Sequence, residues 1–447
     1  MQVFRCSSAW IGDRVRSDVD ITVDDAGRIA GIDAVASRPG LNVVALPGVV
    51  LPGFANAHSH AFHRALRGRT HGDGGTFWTW RERMYEVAGI LDPDLYFVLA
   101  RAVFSEMALA GVTSVGEFHY VHHQPDGSTY DDPNAMGEAL RHAAREAGIR
   151  LTLLDTCYLS GGLSDAGHSA LQPDQRRFGD GTAARWAERF GALTGDPKTN
   201  IGAAIHSVRA VPRDQMPEVV RAADGRPLHV HLSEQRAENE ACEAAYGMSP
   251  TEVLAAAGAL GPLTTAVHAT HLSPRDIALL GESRTSACFC PTTERDLADG
   301  IGPALGLARA GSPLCLGSDQ HAVIDLMEEA RALEMHERLD HHERGRFRPG
   351  ELVEALCEQG QASLGWHDAG RIEVGQRADL VAVRSDSVRT AGTDPAQIVL
   401  TAFASDVDAV VVDGVVVVSG GQHRSLDVGA ELVSVIDDVW ARVRAST

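Results

Sequence analysis

The 447-residue sequence predicts an α/β fold: a (β/α)8 barrel of the TIM type with a second, smaller β-sandwich-like domain built from both chain ends. Three observations point there. Short apolar runs alternate with amphipathic stretches from about Val49 to Leu316. Both flanks alternate polar and apolar residues with a period of two and carry tight-turn signals. Histidines and acids gather at the ends of the apolar runs, where barrels of this kind place their chemistry.

The flanks come first. Residues 17–35 read SDVDITVDDAGRIAGIDAV, and the C-terminal part contains ADLVAVRS and DAVVVDGVVVVSGG with Asp-Gly and Gly-Gly turns. Segments 1–50 and 370–447 are expected to form the small domain together, and 51–369 the barrel. Within the barrel the eight runs are VVLPGFANAHSH, TSVGEFHY, RLTLLDTCY, NIGAAIHSV, PLHVHLSE, TTAVHATHL, TSACFCPTT and PLCLGSDQH. Between them lie helix-like segments. In DPDLYFVLARAVFSEMALAG, Leu95, Val98, Leu99, Ala102 and Val103 repeat at helical spacing after a cap at Asp92 or Asp94. DPNAMGEALRHAAREAG, PTEVLAAAGALG and SPRDIALLGE repeat the pattern, while PDGSTYDDPN and HHERGRFRPG read as surface loops. Parallel strands need helical crossovers, and eight such units in about 270 residues can close on themselves.

Composition narrows the function. Sixty acidic against 40 basic residues give a formal charge of −20, which argues against an extended nucleic-acid or anionic-membrane surface. An anionic substrate therefore needs a local cluster of cations. Lys198 is the only lysine. The seven cysteines are an odd, widely spaced set in mostly apolar segments, read as reduced core residues. No signal-peptide pattern opens the chain and no run of about 18 apolar residues is present, so the expectation is a cytoplasmic protein.

The chemistry is read from the strand ends. His58 and His60 share one face of the first strand, because side chains alternate. The fifth run offers His229, His231 and then Glu234; the sixth offers His268 and His271; the eighth offers Asp319. His58, His60, His231 and Asp319 satisfy the ligand count of a site for one divalent metal ion with a position open for water, zinc first and ferrous iron second. Glu234, beside that water, is suited to carry a proton from nucleophile to leaving group. Asp319 shares the base role, and His268 polarises the electrophile or stabilises developing charge. His229 reads as a packing or hydrogen-bonding residue. His271, His122, His123, His341 and His342 read as solvent-facing or locally bonded.

With these residues placed, PGFANAHSH, HVHLSEQ, VHATH and GSDQH resemble the amidohydrolase superfamily along essentially the whole chain, and IEVGQRADLVAV resembles that superfamily's return into its small β domain. The glutamate of HVHLSEQ resembles the deaminase branch. Branches with two metals bridge them through a carbamylated lysine at a strand end; Lys198 precedes its strand in a polar loop, so one metal is expected. HSHAFHRAL, FWTWRERMY, GEFHYVHH and HSVRAV resemble members of that branch that release ammonia from N-formimino-L-glutamate in histidine breakdown. That resemblance implies substrate contacts from Arg81, Tyr120, His206 and Arg209, and a homodimer. Arginine forks suit the two carboxylates of such a substrate. His63 departs from the family, which often has glutamine there. The rival readings are a deaminase of a nucleobase or other aromatic amine, which wants a flat apolar slot, and a non-catalytic metal-binding homologue, against which Glu234, His268 and Asp319 argue.

Overall fold

The computed structural model describes residues 1–36, 42–72 and 77–446, with the side chains of Phe77 and Trp78 set aside. Of the segments assigned to the small domain, residues 37–41 and Thr447 lie outside this description. The chain begins with strands β1 (Gln2–Ile11), β2 (Arg14–Val23), β3 (Ile29–Ala34) and β4 (Asn42–Pro52). It continues through β5 (Phe54–Ser59), β6 (Val112–His119) and β7 (Arg150–Cys157), then a small hairpin of β8 (Gly162–Ser164) and β9 (Gly167–Ser169). Next come β10 (Thr199–Ile205), β11 (Leu228–Leu232), β12 (Thr264–His268), β13 (Ser286–Phe289) and β14 (Leu314–Leu316). The chain returns as β15 (Leu380–Val383), β16 (Val407–Val412), β17 (Val415–Ser419) and β18 (Gln422–His423).

Eight strands make a parallel sheet in the order β14-β13-β12-β11-β10-β7-β6-β5. A bridge between Ser59 and Asp319 brings its two ends together, with Asp319 N donating to His58 O at 3.0 Å and His60 N to Asp319 O at 3.2 Å. The barrel thus closes at the two segments that carry candidate ligands. Every residue of β6 and β7 is buried, as strands covered on both faces require. Around the barrel the expected helices form with their caps. Asp92 accepts from Leu95 N ahead of the helix Pro93–Leu109, and Ser273 accepts from Asp276 N ahead of Pro274–Glu282.

The two ends of the chain build one eight-stranded, mostly antiparallel sheet, β18-β17-β16-β15-β4-β1-β2-β3, in which only β1 and β4 run parallel. Its inner face gathers Phe4, Val19, Ile21, Leu46, Val50, Leu380 and Val411 into a core of its own. Two boundaries differ from the sequence expectation. The first apolar run is divided at Gly53: residues through Pro52 belong to the small sheet and Phe54 starts the barrel. A Cβ at Gly53 would lie 2.6 Å from Asp379 Cβ, so only glycine lets the crossing pass. The helix Val428–Ser446, assigned with the small domain by position, packs on the barrel instead. Its stripe of Val435, Val439, Trp440 and Val443 enters the main core, and Trp440 Nε1 donates to Ala65 O at 2.8 Å. All seven cysteines lie buried. Among the described residues no helix is long and apolar enough to cross a membrane.

Candidate active site

The backbone fixes how the imidazoles face. His60 Nδ1 donates to Phe118 O and His231 Nδ1 to His206 O, both at 2.9 Å. Each ring therefore carries its proton on Nδ1 and presents a lone pair from Nε2. Those lone pairs converge. His231 Nε2 lies 3.1 Å from His58 Nε2, and Asp319 Oδ1 lies 3.3 Å from His58 Nε2 and 3.4 Å from His60 Nε2. All four side chains are buried. Facing lone pairs and a carboxylate oxygen repel one another unless a cation lies between them, so the donor set fits a divalent metal. His268 joins the cluster, its Nε2 3.9 Å from Asp319 Oδ2.

Strand ends aim these groups by unusual backbone. His268 and Asp319 have φ of +69° and +40°, and Ser233, just before Glu234, has +52°. Such conformations cost non-glycine residues on the order of 1 kcal/mol each and gather at functional sites. Burial would raise the Asp319 carboxyl, but its neighbours His58, His268 and His60 hold it well below the usual carboxylate range. Glu234 goes the other way: burial raises it against the pull of His268 and Arg209. Burial would lower His268, yet Glu234, Glu294 and Asp319 together push it up to about 10. Carboxyls displaced in opposite directions around one imidazole are an arrangement for moving protons.

Above the cluster opens a cavity of about 240 Å³ that reaches His60, His231, Glu234, His268 and Asp319 at its base. The expected substrate contacts line the same cavity. Arg209 Nε donates to Glu238 Oε2 at 2.9 Å, and its Nη2 lies 3.8 Å from Glu234 Oε2. Arg81 Nε donates to Tyr85 OH at 2.6 Å. His206 lines the wall, and His63 Nε2 meets Tyr120 OH at 3.0 Å. FWTWRERMY opens the helix Phe77–Ile90, in the connection between β5 and β6.

The remaining histidines sort by partner. His229 Nε2 bonds Ser363 O at 3.1 Å, away from the cluster. His122 and His123 are buried rather than solvent-facing, bonded to Thr156 O and Asp180, because the loop after β6 folds under the turn 173–178. His271 is partly buried, whereas His341 and His342 are exposed. Lys198 pairs with Asp413 of the small sheet, remote from the rim. Sequence reading missed Tyr85, Tyr158, Phe178, Glu238 and Glu294. Tyr158 sits just past β7, so the strand-end rule that found His58 would have found it; Glu294, inside the helix Pro291–Asp296, and Glu238 and Tyr85, on the helices Arg236–Tyr246 and Phe77–Ile90, carry no such signal.

A parallel barrel with a rim of imidazoles and carboxylates around a cation pocket defines a metal-dependent hydrolase. The sequence profile of the amidohydrolase family matches residues 49–417, and the chain belongs to that family. It is 38% identical to formimidoylglutamate deiminase of Pseudomonas aeruginosa over 349 residues, 75% of this chain and 76% of that one. It is 30% identical to 8-oxoguanine deaminase of the same organism over 397 residues, 86% and 85% of the two chains. An amidohydrolase from Brucella melitensis superposes with a TM-score of 0.90 at 30% identity, covering 98% of this chain and all of that one.

Proposed function

We propose that the protein hydrolyses N-formimino-L-glutamate to N-formyl-L-glutamate and ammonia, a step of histidine breakdown, as a cytoplasmic homodimer. The observation that carries the reading is the pair Arg81 and Arg209 lining one cavity whose floor is the imidazole–carboxylate cluster. A nucleobase brings no negative charge to the two guanidinium groups that face the cavity, whereas a small dicarboxylate engages both. The 38% identity to formimidoylglutamate deiminase supports the same substrate.

His58, His60, His231 and Asp319 would hold one divalent cation, zinc first and ferrous iron second. Bound there, the cation supplies a water acidified toward neutral pH. Arg81 and Arg209 hold the carboxylates, with Tyr120, His206 and His63 shaping the wall. The formimino carbon is thereby presented to the floor of the cavity. Glu234, its carboxyl raised by burial, gives a proton to the departing nitrogen. Asp319 takes up a proton from the attacking water and passes it to the same nitrogen, and Glu234 recovers its own from the hydroxyl of the tetrahedral carbon as the C=O bond forms. His268, between Glu234 and Asp319 at 3.9 Å from each, steadies the tetrahedral carbon's substituents. Water adds across the C=N bond, and the C–N bond to the former imino nitrogen breaks with release of ammonia. The test is ammonia release from N-formimino-L-glutamate by metal-loaded protein; a folded, metallated and inactive protein would overturn the substrate assignment.

A further inference from the structure

The hydroxyl of Tyr158 has its direction set by its neighbours. Tyr158 follows β7, lines the cavity and packs its ring 4.4 Å from that of His206, within electrostatic reach of both Arg81 and Arg209. Behind it is Gln175, 1% exposed, in the turn Pro173–Phe178. The orientation of that amide is unambiguous. Its Oε1 faces the N–H of Gln172 at 2.9 Å, and its Nε2 faces the carbonyl of Gly161 at 3.4 Å.

Nε2 carries two protons, and its two shorter contacts, Tyr85 OH at 2.9 Å and Tyr158 OH at 3.2 Å, are the ones it serves as donor. The Tyr85 oxygen also receives Arg81 Nε at 2.6 Å, which fills its acceptor capacity. With its oxygen already accepting from Gln175 and Arg81, Tyr85 is the donor in the hydrogen bond it shares with Tyr158, so Tyr158 can hand its proton neither to Gln175 nor to Tyr85. The direction left is the cavity. Burial, followed by the neighbouring Tyr85, keeps the phenol above its ordinary pKa, so it remains protonated.

We propose that Tyr158 is a substrate-binding residue whose hydroxyl donates to a substrate carboxylate held by Arg81 and Arg209, and that Gln175 is the positioning residue that turns this proton into the cavity. The assignment rests on the dicarboxylate reading above for its ligand. Tyr85 and Gln175 also tie the guanidinium of Arg81 to Tyr158, so one bonded chain sets the spacing of two donors. The chain supplies specificity by polarity: an acceptor group in place of the carboxylate's partner would repel the same ligand.

The test uses glutarate binding to the zinc-loaded protein, measured by calorimetry. Tyr158→Phe should weaken glutarate about tenfold, as loss of one hydrogen bond to a charged group does, with metal content and Tm unchanged. KM for N-formimino-L-glutamate should rise by a similar factor while kcat stays within about twofold. Gln175→Glu keeps the size of the side chain but offers two acceptors, which draws the Tyr158 proton back; it should reproduce the loss. The double variant Tyr158→Phe/Gln175→Glu should bind no more weakly than Gln175→Glu alone. Unchanged glutarate affinity in Tyr158→Phe overturns the assignment, and so does an additive double variant, which marks plain repulsion. Wild-type turnover with unchanged KM in Tyr158→Phe leaves the proposed function intact and removes Tyr158. Glutarate binding that depends on Tyr158, without ammonia release by the wild type, supports Tyr158 and removes the proposed substrate.

Discussion

The floor and the wall of the cavity are built in opposite ways. On the floor, donors sit at or just beyond strand ends, and main-chain carbonyls of neighbouring strands orient His60 and His231. On the wall, Arg81, Tyr85, Gln175 and Tyr158 come from a helix, a turn and a strand end, and hold one another through side chains alone. A rigid sheet fixes reacting groups to within a few tenths of an ångström, while connecting segments can be exchanged to suit a ligand. The reacting groups thus reside on the barrel strands, and the contacts able to distinguish one ligand from another on what is inserted between them.

The largest effect is expected at the floor. His231→Ala should lose bound metal and lower turnover by more than about 10³-fold, since hydroxide is no longer available at neutral pH; metal analysis of the purified variant checks it, and a retained equivalent contradicts the ligand set. Next, Glu234→Gln should keep the metal and the substrate affinity while kcat drops by about 10² to 10⁴, the range for removing a general acid–base. At the wall the effect should move to the other constant. Arg209→Met is expected to raise KM by about 10- to 100-fold with a smaller change in kcat. Steady-state kinetics decide, and a pure kcat effect would erase the distinction between floor and wall.

The smallest effect concerns the support behind the floor. Glu117 is fully buried, accepting from Ser59 Oγ at 2.6 Å and Ala61 N at 2.7 Å, and has no cation paired to it among the described residues. Burial pushes its carboxyl up to about 8 despite those hydrogen bonds. Between its ordinary pKa of 4.5 and about 8 the folded protein keeps a proton that the unfolded chain has lost, so stability falls as pH rises through that window. Glu117→Gln should flatten that decline and raise Tm at pH 8 by about 2 °C, read from thermal unfolding at pH 5 and pH 8. An equal shift at both values would mean that the carboxylate's charge is not what the site tolerates.

The same contrast explains what could be read from the amino acids alone. The strands were legible because buried parallel strands leave continuous apolar runs, and His58, His60, His231, His268 and Asp319 stood out because each ends one. The break at Gly53 was not, since one apolar run serves two sheets and the close approach of Thr113 and Asp379 that separates them has no spacing in the chain. The docking of the helix Val428–Ser446 was hidden because an apolar stripe does not name its partner. Gln175 left no trace: its role comes from Gln172, Gly161, Tyr85 and Tyr158, and those contacts have no spacing in the chain.

His206 belongs to both regions. Its carbonyl steers the His231 ring, and its own imidazole borders the cavity that Arg81 and Arg209 line. A ligand that shifted this residue would change how firmly an ion is gripped, and linkage would demand the converse in equal measure. Loading of the ion and capture of the ligand would then share a single coupling energy, passed through one carbonyl.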